Sequence, residues 1–164
     1  MKVYFAGPDV FNRSFGAFKA GVADQCASLN LVPLFPGDEV TGTDPTAIFR
    51  DNISLIDRAD AVVANLNQFR GTEADSGTVF ELGYAFARGK KLLGYIDQDE
   101  TIIERVGRLQ GNVTRYGDDA LDREGFRVEN FGLPINLMLS IPTNVVIGNV
   151  YRCLQVLRED LDQP

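Results

Sequence analysis

The sequence predicts an α/β protein with a flavodoxin-like, doubly wound sheet of five parallel strands and helices on both faces. Short apolar or β-branched runs alternate along the chain with longer runs of helical periodicity, an order typical of a parallel sheet covered by helices. The chain has 164 residues, of which 45% are hydrophobic. That is enough to bury the core of one domain, and we expect a single domain over residues 1–164.

Five runs are expected to form the strands: KVYFA (2–6), LVPLF (31–35), DAVVANL (60–66), KLLGYI (91–96) and NVVI (144–147). Helices are expected at 14–29, after Asp44, at 76–88 and at 150–161. Asp44 is predicted to cap the second helix, with Pro45 at its first position. Between these elements we expect a polar turn over 37–44 and a short helix that begins at Pro134.

Residues 97–130 differ from the rest, since they are rich in charge and glycine. We expect an insertion there with at most one short helix, near 100–109, that lies over another part of the molecule as a lid does. In doubly wound sheets, ligands bind beyond the carboxyl ends of the strands. Three segments are therefore expected to meet at the site: residues 7–12, the loop after Leu66 and the loop after Ile96.

Composition excludes several classes of function. The net charge of −7 disfavours a nucleic-acid partner, and no apolar run approaches the length of a membrane span. The start of the chain does not read as a secretory signal. Cys26 and Cys153 form no metal-ligand pattern and are expected to be buried, reduced thiols of a cytoplasmic protein.

The chain contains no histidine. Histidine-based nucleophile systems, a histidine general base and histidine-ligated metals are therefore excluded, and we expect no metal site. Covalent and proton chemistry would fall mainly to Asp, Glu, Tyr, Lys or Cys.

Glu81 is the one charged residue in the apolar stretch SGTVFELGYAFA (76–87). It can be a solvent-facing residue one turn after a capping Asp75. Alternatively it lies at a cleft, because a helix that is apolar nearly all round is a buried helix. In the second case Tyr4 on the first strand is a candidate hydrogen-bond donor, Glu81 can act as a nucleophile and Asp75 can handle a leaving-group proton.

Other candidates have structural alternatives of similar weight. Gly7 permits close approach of the backbone, and Phe11 can stack on a flat ligand or belong to the core. Asp51 and Asn52 lie in the middle of a helix although both are poor helix formers, so that one of them can face the site or solvent. Asn136 lies in an apolar run, either as a helix-end residue or beside a subunit interface.

Four segments in this order resemble the nucleoside 2-deoxyribosyltransferase family, in its branch with an AGP-type first loop. They are YFAGPDVF (4–11), DNISLIDRADAVVANL (51–66), FRGTEADSGTVFELGYA (69–85) and FGLPINLML (131–139). The resemblance implies a flavodoxin-like fold, no cofactor, and transfer of 2-deoxyribose from one nucleobase to another in purine and pyrimidine salvage. Its substrates would be a deoxynucleoside and a free nucleobase.

By the same resemblance, Glu81 would attack C1′ to form a deoxyribosyl ester with overall retention at C1′. Asp75 would exchange a proton with the base, and Tyr4 would orient the nucleophile. Asn136 would reach the sugar hydroxyls in a neighbouring subunit's site, which implies a homo-oligomer with shared active sites.

The family pattern also assigns the remaining residues of the pocket. Asn52 falls where relatives place a base-contacting Asp or Asn, and Gly7 and Phe11 would line the sugar and base pocket. Asp51 and Gly77 are further candidate substrate-binding residues. The ending ANLN (64–67) stands where a more acidic one is expected, and 97–130 has no counterpart motif, so both regions are expected to shape base preference.

Two other functions compete with transfer. The same ester can be hydrolysed, giving an N-glycosidase that acts on 2-deoxynucleosides or their 5′-monophosphates; Ser76 and Arg70 are the available phosphate-binding groups, without a serine-rich loop. The chain can also be a nucleotide-binding domain without catalysis.

Overall fold

The computed structural model describes residues 1–39, 42–117 and 119–161. Val40 and Thr41, in the polar turn expected over 37–44, lie outside the described residues. The elements in chain order are β1 (Lys2–Ala6), a 3-10 turn (Pro8–Phe11), α1 (Phe15–Ser28), β2 (Val32–Leu34), α2 (Pro45–Arg58), β3 (Ala61–Asn65), α3 (Ser76–Ala87), β4 (Lys91–Ile96), α4 (Ile102–Gln110), β5 (Thr114–Tyr116), β6 (Asp119–Leu121), β7 (Arg127–Val128), α5 (Leu137–Ser140), β8 (Asn144–Ile147) and α6 (Val150–Leu161).

The main sheet has five parallel strands in the order β2-β1-β3-β4-β8. This is the flavodoxin-like order, and its topological switch point lies between β1 and β3. The predicted fold class is therefore confirmed. The carboxyl ends of β1 and β3 at this point are Ala6 and Asn65, so the segments that follow them form the edge where ligands are expected.

Alternation along the strands divides the core into two layers. Val3 and Phe5 point to one face, where they pack with residues of α1 and α6. Tyr4 and Ala6 point to the other face, towards α2 and α3. Helices thus cover both faces of the sheet, and Tyr4 faces the layer that contains α3.

The helix signals of the sequence correspond to the observed helix ends. Asp44 caps α2 by accepting hydrogen bonds from the backbone N–H groups of Thr46 and Ala47, at 3.3 and 3.0 Å. Helix α3 ends before Gly89, whose φ of 67° is in the left-handed region that glycine readily adopts. Cys26 and Cys153 are buried free thiols, as expected.

Three expectations need correction. Residues 97–130 contain not only α4 but also a three-stranded antiparallel sheet, β5-β6-β7. The helix expected from Pro134 begins at Leu137, because the Asn136 side chain caps it. Helix α3 is not buried all round, since the rings of Phe80 and Phe86 are 54% and 62% exposed.

No helix in the described part of the chain is long and apolar enough to cross a membrane.

Candidate active site

A cavity of about 460 Å³ opens at the carboxyl edge of the sheet, on the side of α2 and α3. Its lining residues are Gly7, Val10, Phe11, Phe15, Pro36, Gly37, Gly42, Ile48, Asn52, Asp75, Gly77, Thr78 and Glu81. Six of the nine residues singled out from the sequence are among them, namely Gly7, Phe11, Asn52, Asp75, Gly77 and Glu81. None of the described residues in 97–130 lines this cavity, so in this chain the segment does not cover it.

The carboxylate of Glu81 is held from two sides. The hydroxyl of Tyr4 donates a hydrogen bond to its Oε1 at 2.7 Å, and Nδ2 of Asn52 donates to the same oxygen at 3.2 Å. Tyr4 is fully buried, and a buried phenol needs a hydrogen-bond partner. Within the described residues no donor reaches Oε2, which leaves one oxygen of the carboxylate unengaged.

Burial dominates the protonation of Glu81. Burial raises the pKa of this carboxyl to about 7, although the hydrogen bonds from Tyr4 and Asn52 lower it, and the nearby Asp75 adds a smaller upward contribution. The two donors offset part of the desolvation cost without removing it. Glu81 therefore changes charge near neutral pH, where both its protonated form and its nucleophilic carboxylate form are populated.

Asp75 caps the start of α3 and also lines the cavity. Its Oδ2 accepts hydrogen bonds from the backbone N–H and the hydroxyl of Thr78, both at 3.0 Å, which caps the helix. A Cβ at Gly77 would lie 3.1 Å from that same oxygen, so glycine at this position avoids crowding the capping carboxylate. Because Asp75 also lines the cavity, its other oxygen can face a ligand.

The first loop brings its backbone very close to β3. A Cβ built on Gly7 would lie 2.9 Å from Cβ of Asn65 and 2.7 Å from Oδ2 of Asp9, which is too close for a side chain. Gly7 itself has extended backbone angles, so packing rather than strain requires glycine here. This close approach lets Val10 and Phe11 form one wall of the cavity.

An aromatic stack extends that wall outward. Phe11 is 61% exposed and stacks on Phe69, with ring centroids 5.7 Å apart and an interplanar angle of 12°. The guanidinium carbon of Arg70 lies 5.4 Å from the Phe11 ring centroid and 4.6 Å from that of Phe69. Phe11 is therefore not a core residue, and Arg70 belongs to this wall rather than to a purely solvated loop.

Three of the predicted site residues do not line the cavity. Tyr4 lies beneath it and is hydrogen-bonded to Glu81. Asp51 is buried, its Oδ2 has no hydrogen-bond partner among the described residues, and its charge contributes, after burial and Glu81, to the raised pKa of Tyr4. It thus lies near the Tyr4–Glu81 pair, behind the surface that a ligand would touch.

Asn136 lies elsewhere in this chain. Its Nδ2 donates to Oε1 of Glu129 at 2.7 Å, and its Oδ1 accepts from the backbone N–H of Met138 at 2.9 Å. It lines a separate cavity of about 240 Å³, together with Glu73 and residues of the 97–130 segment. Asn136 and Glu81 thus line different cavities, and the expectation that Asn136 reaches a neighbouring subunit's site stays a prediction.

Sequence reasoning missed part of the lining. Val10, Phe15 and Ile48 give no signal in the sequence, since an apolar residue at a cavity wall has the same pattern as one in the core. Thr78 also lines the cavity, although it is buried. In the described residues no cluster of three or more His, Cys, Asp or Glu side chains could hold a metal ion.

Comparisons with known proteins match most of the sequence and the fold. The sequence model of the nucleoside 2-deoxyribosyltransferase family matches residues 3–138. A solved 2-deoxyribosyltransferase of Leishmania mexicana is 36% identical and superposes with a TM-score of 0.80, covering 96% of this chain and 97% of the other.

Two more distant matches add less. An uncharacterized protein of Schizosaccharomyces pombe is 27% identical, covering 83% of this chain and 74% of its own. A CMP N-glycosidase of Clostridium botulinum is 13% identical with a TM-score of 0.51, over 99% of this chain and 98% of the other, and indicates a shared fold alone. With the family match over most of its length, this chain belongs to the nucleoside 2-deoxyribosyltransferase family.

Proposed function

We propose that this protein transfers 2-deoxyribose from a deoxynucleoside to a free nucleobase through a covalent ester on Glu81, with retention of configuration at C1′. The observation that carries the proposal is the pair of hydrogen bonds from Tyr4 and Asn52 to one oxygen of Glu81 in a cavity lined by a second carboxylate. The activity resides in one domain, uses no cofactor and serves purine and pyrimidine salvage in the cytoplasm.

In the first half-reaction, Oε2 of Glu81 attacks C1′ of the bound deoxynucleoside. A C1′–O bond forms, the N-glycosidic bond breaks, and its electron pair leaves with the base. Asp75 donates a proton to a ring nitrogen of the departing base, which makes it a better leaving group. Positioned acid catalysis of this kind contributes typically about 10²–10⁴-fold to the rate.

The second half-reaction reverses these steps with a different base. A nitrogen of the incoming base attacks C1′, the ester bond breaks, and its electrons return to Glu81 as a carboxylate. Asp75 takes the proton that the incoming base releases. Each half-reaction inverts C1′, so two of them retain the original configuration.

The environment of Glu81 suits this cycle. Tyr4 and Asn52 hold Oε1, which fixes the carboxylate plane and leaves Oε2 for attack. Because burial raises the pKa of Glu81 to about 7, the nucleophilic carboxylate form gains population as pH rises through 7. An ester, which carries no charge, is favoured by the same burial that disfavours the carboxylate.

The cavity walls supply the substrate contacts. Phe11 offers a ring face to the nucleobase, and Asn52 contacts its polar edge. Gly7 and Gly77 let the backbone approach the sugar. Asp51, behind this surface, acts on the base-contacting position through its neighbour Asn52 and on Tyr4.

The remaining part of the site comes from a second subunit, as a homo-oligomer with shared active sites. Asn136 of one chain would bind the sugar hydroxyls in the cavity of another. Support comes from an apolar surface around it, since Met138 and Ile141 are 73% and 74% exposed beside Phe86. Exposed apolar patches of this kind mark protein interfaces.

The direct test is a product assay with a panel of donor deoxynucleosides and acceptor bases. Glu81→Gln and Glu81→Ala should abolish base exchange while circular dichroism remains that of the wild type. Glu124→Gln, an equivalent change on an exposed turn, should retain full activity. Full exchange by Glu81→Gln would refute the nucleophile assignment.

The same assay separates transfer from its alternatives. Base release that does not depend on an acceptor, and is faster from the 5′-monophosphate, would identify an N-glycosidase instead. Binding without turnover, unaffected by Glu81→Gln, would identify a non-catalytic nucleotide-binding domain. Mass spectrometry of wild-type protein mixed with donor alone should show an adduct of one deoxyribosyl group that Glu81→Ala lacks.

A further inference from the structure

The two asparagines of the ending ANLN form a hydrogen-bonded chain across the carboxyl edge of the sheet. Nδ2 of Asn65 donates to Oδ2 of Asp9 at 2.9 Å. Oδ1 of Asn65 accepts from Nδ2 of Asn67 at 2.8 Å and from its backbone N–H at 3.2 Å. Oδ1 of Asn67 in turn accepts from the backbone N–H of Asp97 at 2.8 Å. This series of hydrogen bonds thus connects the loops that follow β1, β3 and β4.

The polarity of this chain requires amides rather than acids at both positions. Asn65 must donate to Asp9 with one end and accept from Asn67 with the other, and a carboxylate cannot donate when ionised. An aspartate at position 65 would place two carboxylates in contact. ANLN thus has asparagine, where an acidic residue is expected, at a position where an acid would interrupt these hydrogen bonds.

Asn65 and Asn67 do not line the cavity that contains Glu81. Leu66, between them, is fully buried in the core, so the period of an extended chain turns both asparagines to the same side, away from that core. They act on the site through Asp9, which is two residues from Phe11.

The Phe11 wall is fixed at both ends as a result. At its base, Asp9 is bound to Asn65, and Gly7 packs against Cβ of Asn65. At its outer end, Phe11 stacks on Phe69 under Arg70, whose φ of 55° is unusual for a residue other than glycine. Phe69 and Arg70 belong to the loop that begins at Asn67. Both the base and the outer end of the wall therefore depend on the same series of hydrogen bonds.

We infer that Asp9, Asn65 and Asn67 are positioning residues that hold the Phe11 wall in place and thereby set the affinity for the nucleobase. The inference rests on the proposed function for its connection to the nucleobase, and on the hydrogen bonds above for the positioning itself. The asparagines of ANLN thus influence base binding without touching the base.

The test uses three variants of the full-length protein. Asn65→Asp places a second carboxylate against Asp9, so that a hydrogen bond to a charged group is replaced by repulsion. We expect KM for donor and acceptor to rise about tenfold or more, and kcat to stay within about twofold of the wild-type value. Asp9→Asn keeps an amide oxygen that can still accept from Asn65, so its KM should rise less than that of Asn65→Asp. The double variant Asp9→Asn/Asn65→Asp should recover, because Asn at position 9 can donate to Asp at position 65.

Hydrogen exchange of the backbone amides in residues 9–12 provides a readout that needs no substrate. Exchange should accelerate in Asn65→Asp and return towards the wild-type rate in the double variant. An unchanged KM in Asn65→Asp, or a double variant no better than the single one, would overturn the inference. If no variant and no wild-type protein turns over nucleosides, the proposed function fails, while the exchange pattern still decides whether the chain positions the wall.

Discussion

At the scale of single residues, Glu81 shows how burial and hydrogen bonding compete over one carboxyl. Burial alone would keep it neutral, whereas the Tyr4 hydroxyl and the Asn52 amide favour the charged form. The outcome, a pKa of about 7, has a consequence for stability as well as for catalysis. Between its ordinary value of 4.5 and about 7, the folded protein holds a proton that the unfolded chain releases.

Stability contributed by Glu81 is therefore present at low pH and is lost as pH rises through 7. We predict that Glu81→Gln, which keeps the size and an acceptor for Tyr4, gains about 2–3 kcal/mol of unfolding free energy relative to wild type between pH 5 and pH 8. Urea unfolding at the two pH values measures this gain. The exposed change Glu124→Gln should show no comparable pH-dependent gain, and an equal gain in both variants would contradict the explanation.

At the scale of the elements, α2 matters because it carries Asn52 into the site. Its start was predictable from the sequence, since an acidic cap followed by proline is a strong local signal. The observed cap has Asp44 accepting from the N–H groups of Thr46 and Ala47. No tertiary contact is needed for this signal to be read.

Removing the cap tests how far α2 depends on it. We predict that Asp44→Ala lowers the unfolding free energy by about 1 kcal/mol, the usual cost of losing such a cap. Asp44→Asn retains an acceptor oxygen and should lose only a few tenths of that amount. Urea unfolding at pH 7 distinguishes the two. Equal losses in both variants would mean that the charge of Asp44, not its hydrogen bonds, stabilises the start of the helix.

Elements without strong local signals were not predictable. Strands β5, β6 and β7 have only three, three and two residues, too few for a period of two to be recognised, and they pair only because turns bring them together. The helix expected from Pro134 begins at Leu137 instead, because Asn136 caps it, in agreement with the alternative that Asn136 is a helix-end residue. In both cases the deciding interactions are tertiary or lie at a helix end.

The same division holds for the site. Tyr4 and Glu81 could be singled out because a polar residue in an apolar run is visible in the sequence, and Asp75 because it precedes a helix as a cap; the resemblance to a family gave them roles. Asp9 and Asn65 could not be paired, since 56 residues separate them and their contact follows from the order of β1 and β3 in the sheet. Sequence thus indicates which groups are unusual, and topology determines which of them meet.

At the scale of the whole molecule, the surface beside α3 and α5 is apolar and exposed in a single chain. A cavity of about 590 Å³ is lined there mainly by apolar residues, among them Phe86, Met138 and Ile141. Of the two alternatives for α3, a helix buried all round is wrong for a single chain, because Phe86 is exposed. A second subunit on this surface would bury that face of α3, and we predict that it also brings Asn136 near another chain's cavity.

Sharing of sites between subunits gives a sharp prediction for mixtures. Glu81→Gln and Asn136→Ala should each be inactive alone, because each lacks one part of every site. If Asn136 acts in a neighbouring subunit, a mixed dimer has one intact site out of two, so random exchange should restore about a quarter of wild-type activity. If Asn136 acts within its own chain, no intact site forms and the mixture stays inactive.

Substitutions on the apolar surface provide the control for the mixing experiment. Ile141→Glu and Met138→Glu place charges on the apolar surface, and burying an unpaired charge is costly. Each should therefore shift the protein to monomers in sedimentation analysis and reduce activity, although Glu81, Asp75 and Tyr4 are unchanged. Glu124→Gln, on a turn that does not line the cavity beside α3 and α5, should do neither. A monomeric Ile141→Glu variant with full base exchange would show that one chain contains the complete site, and would refute the role of Asn136 across subunits.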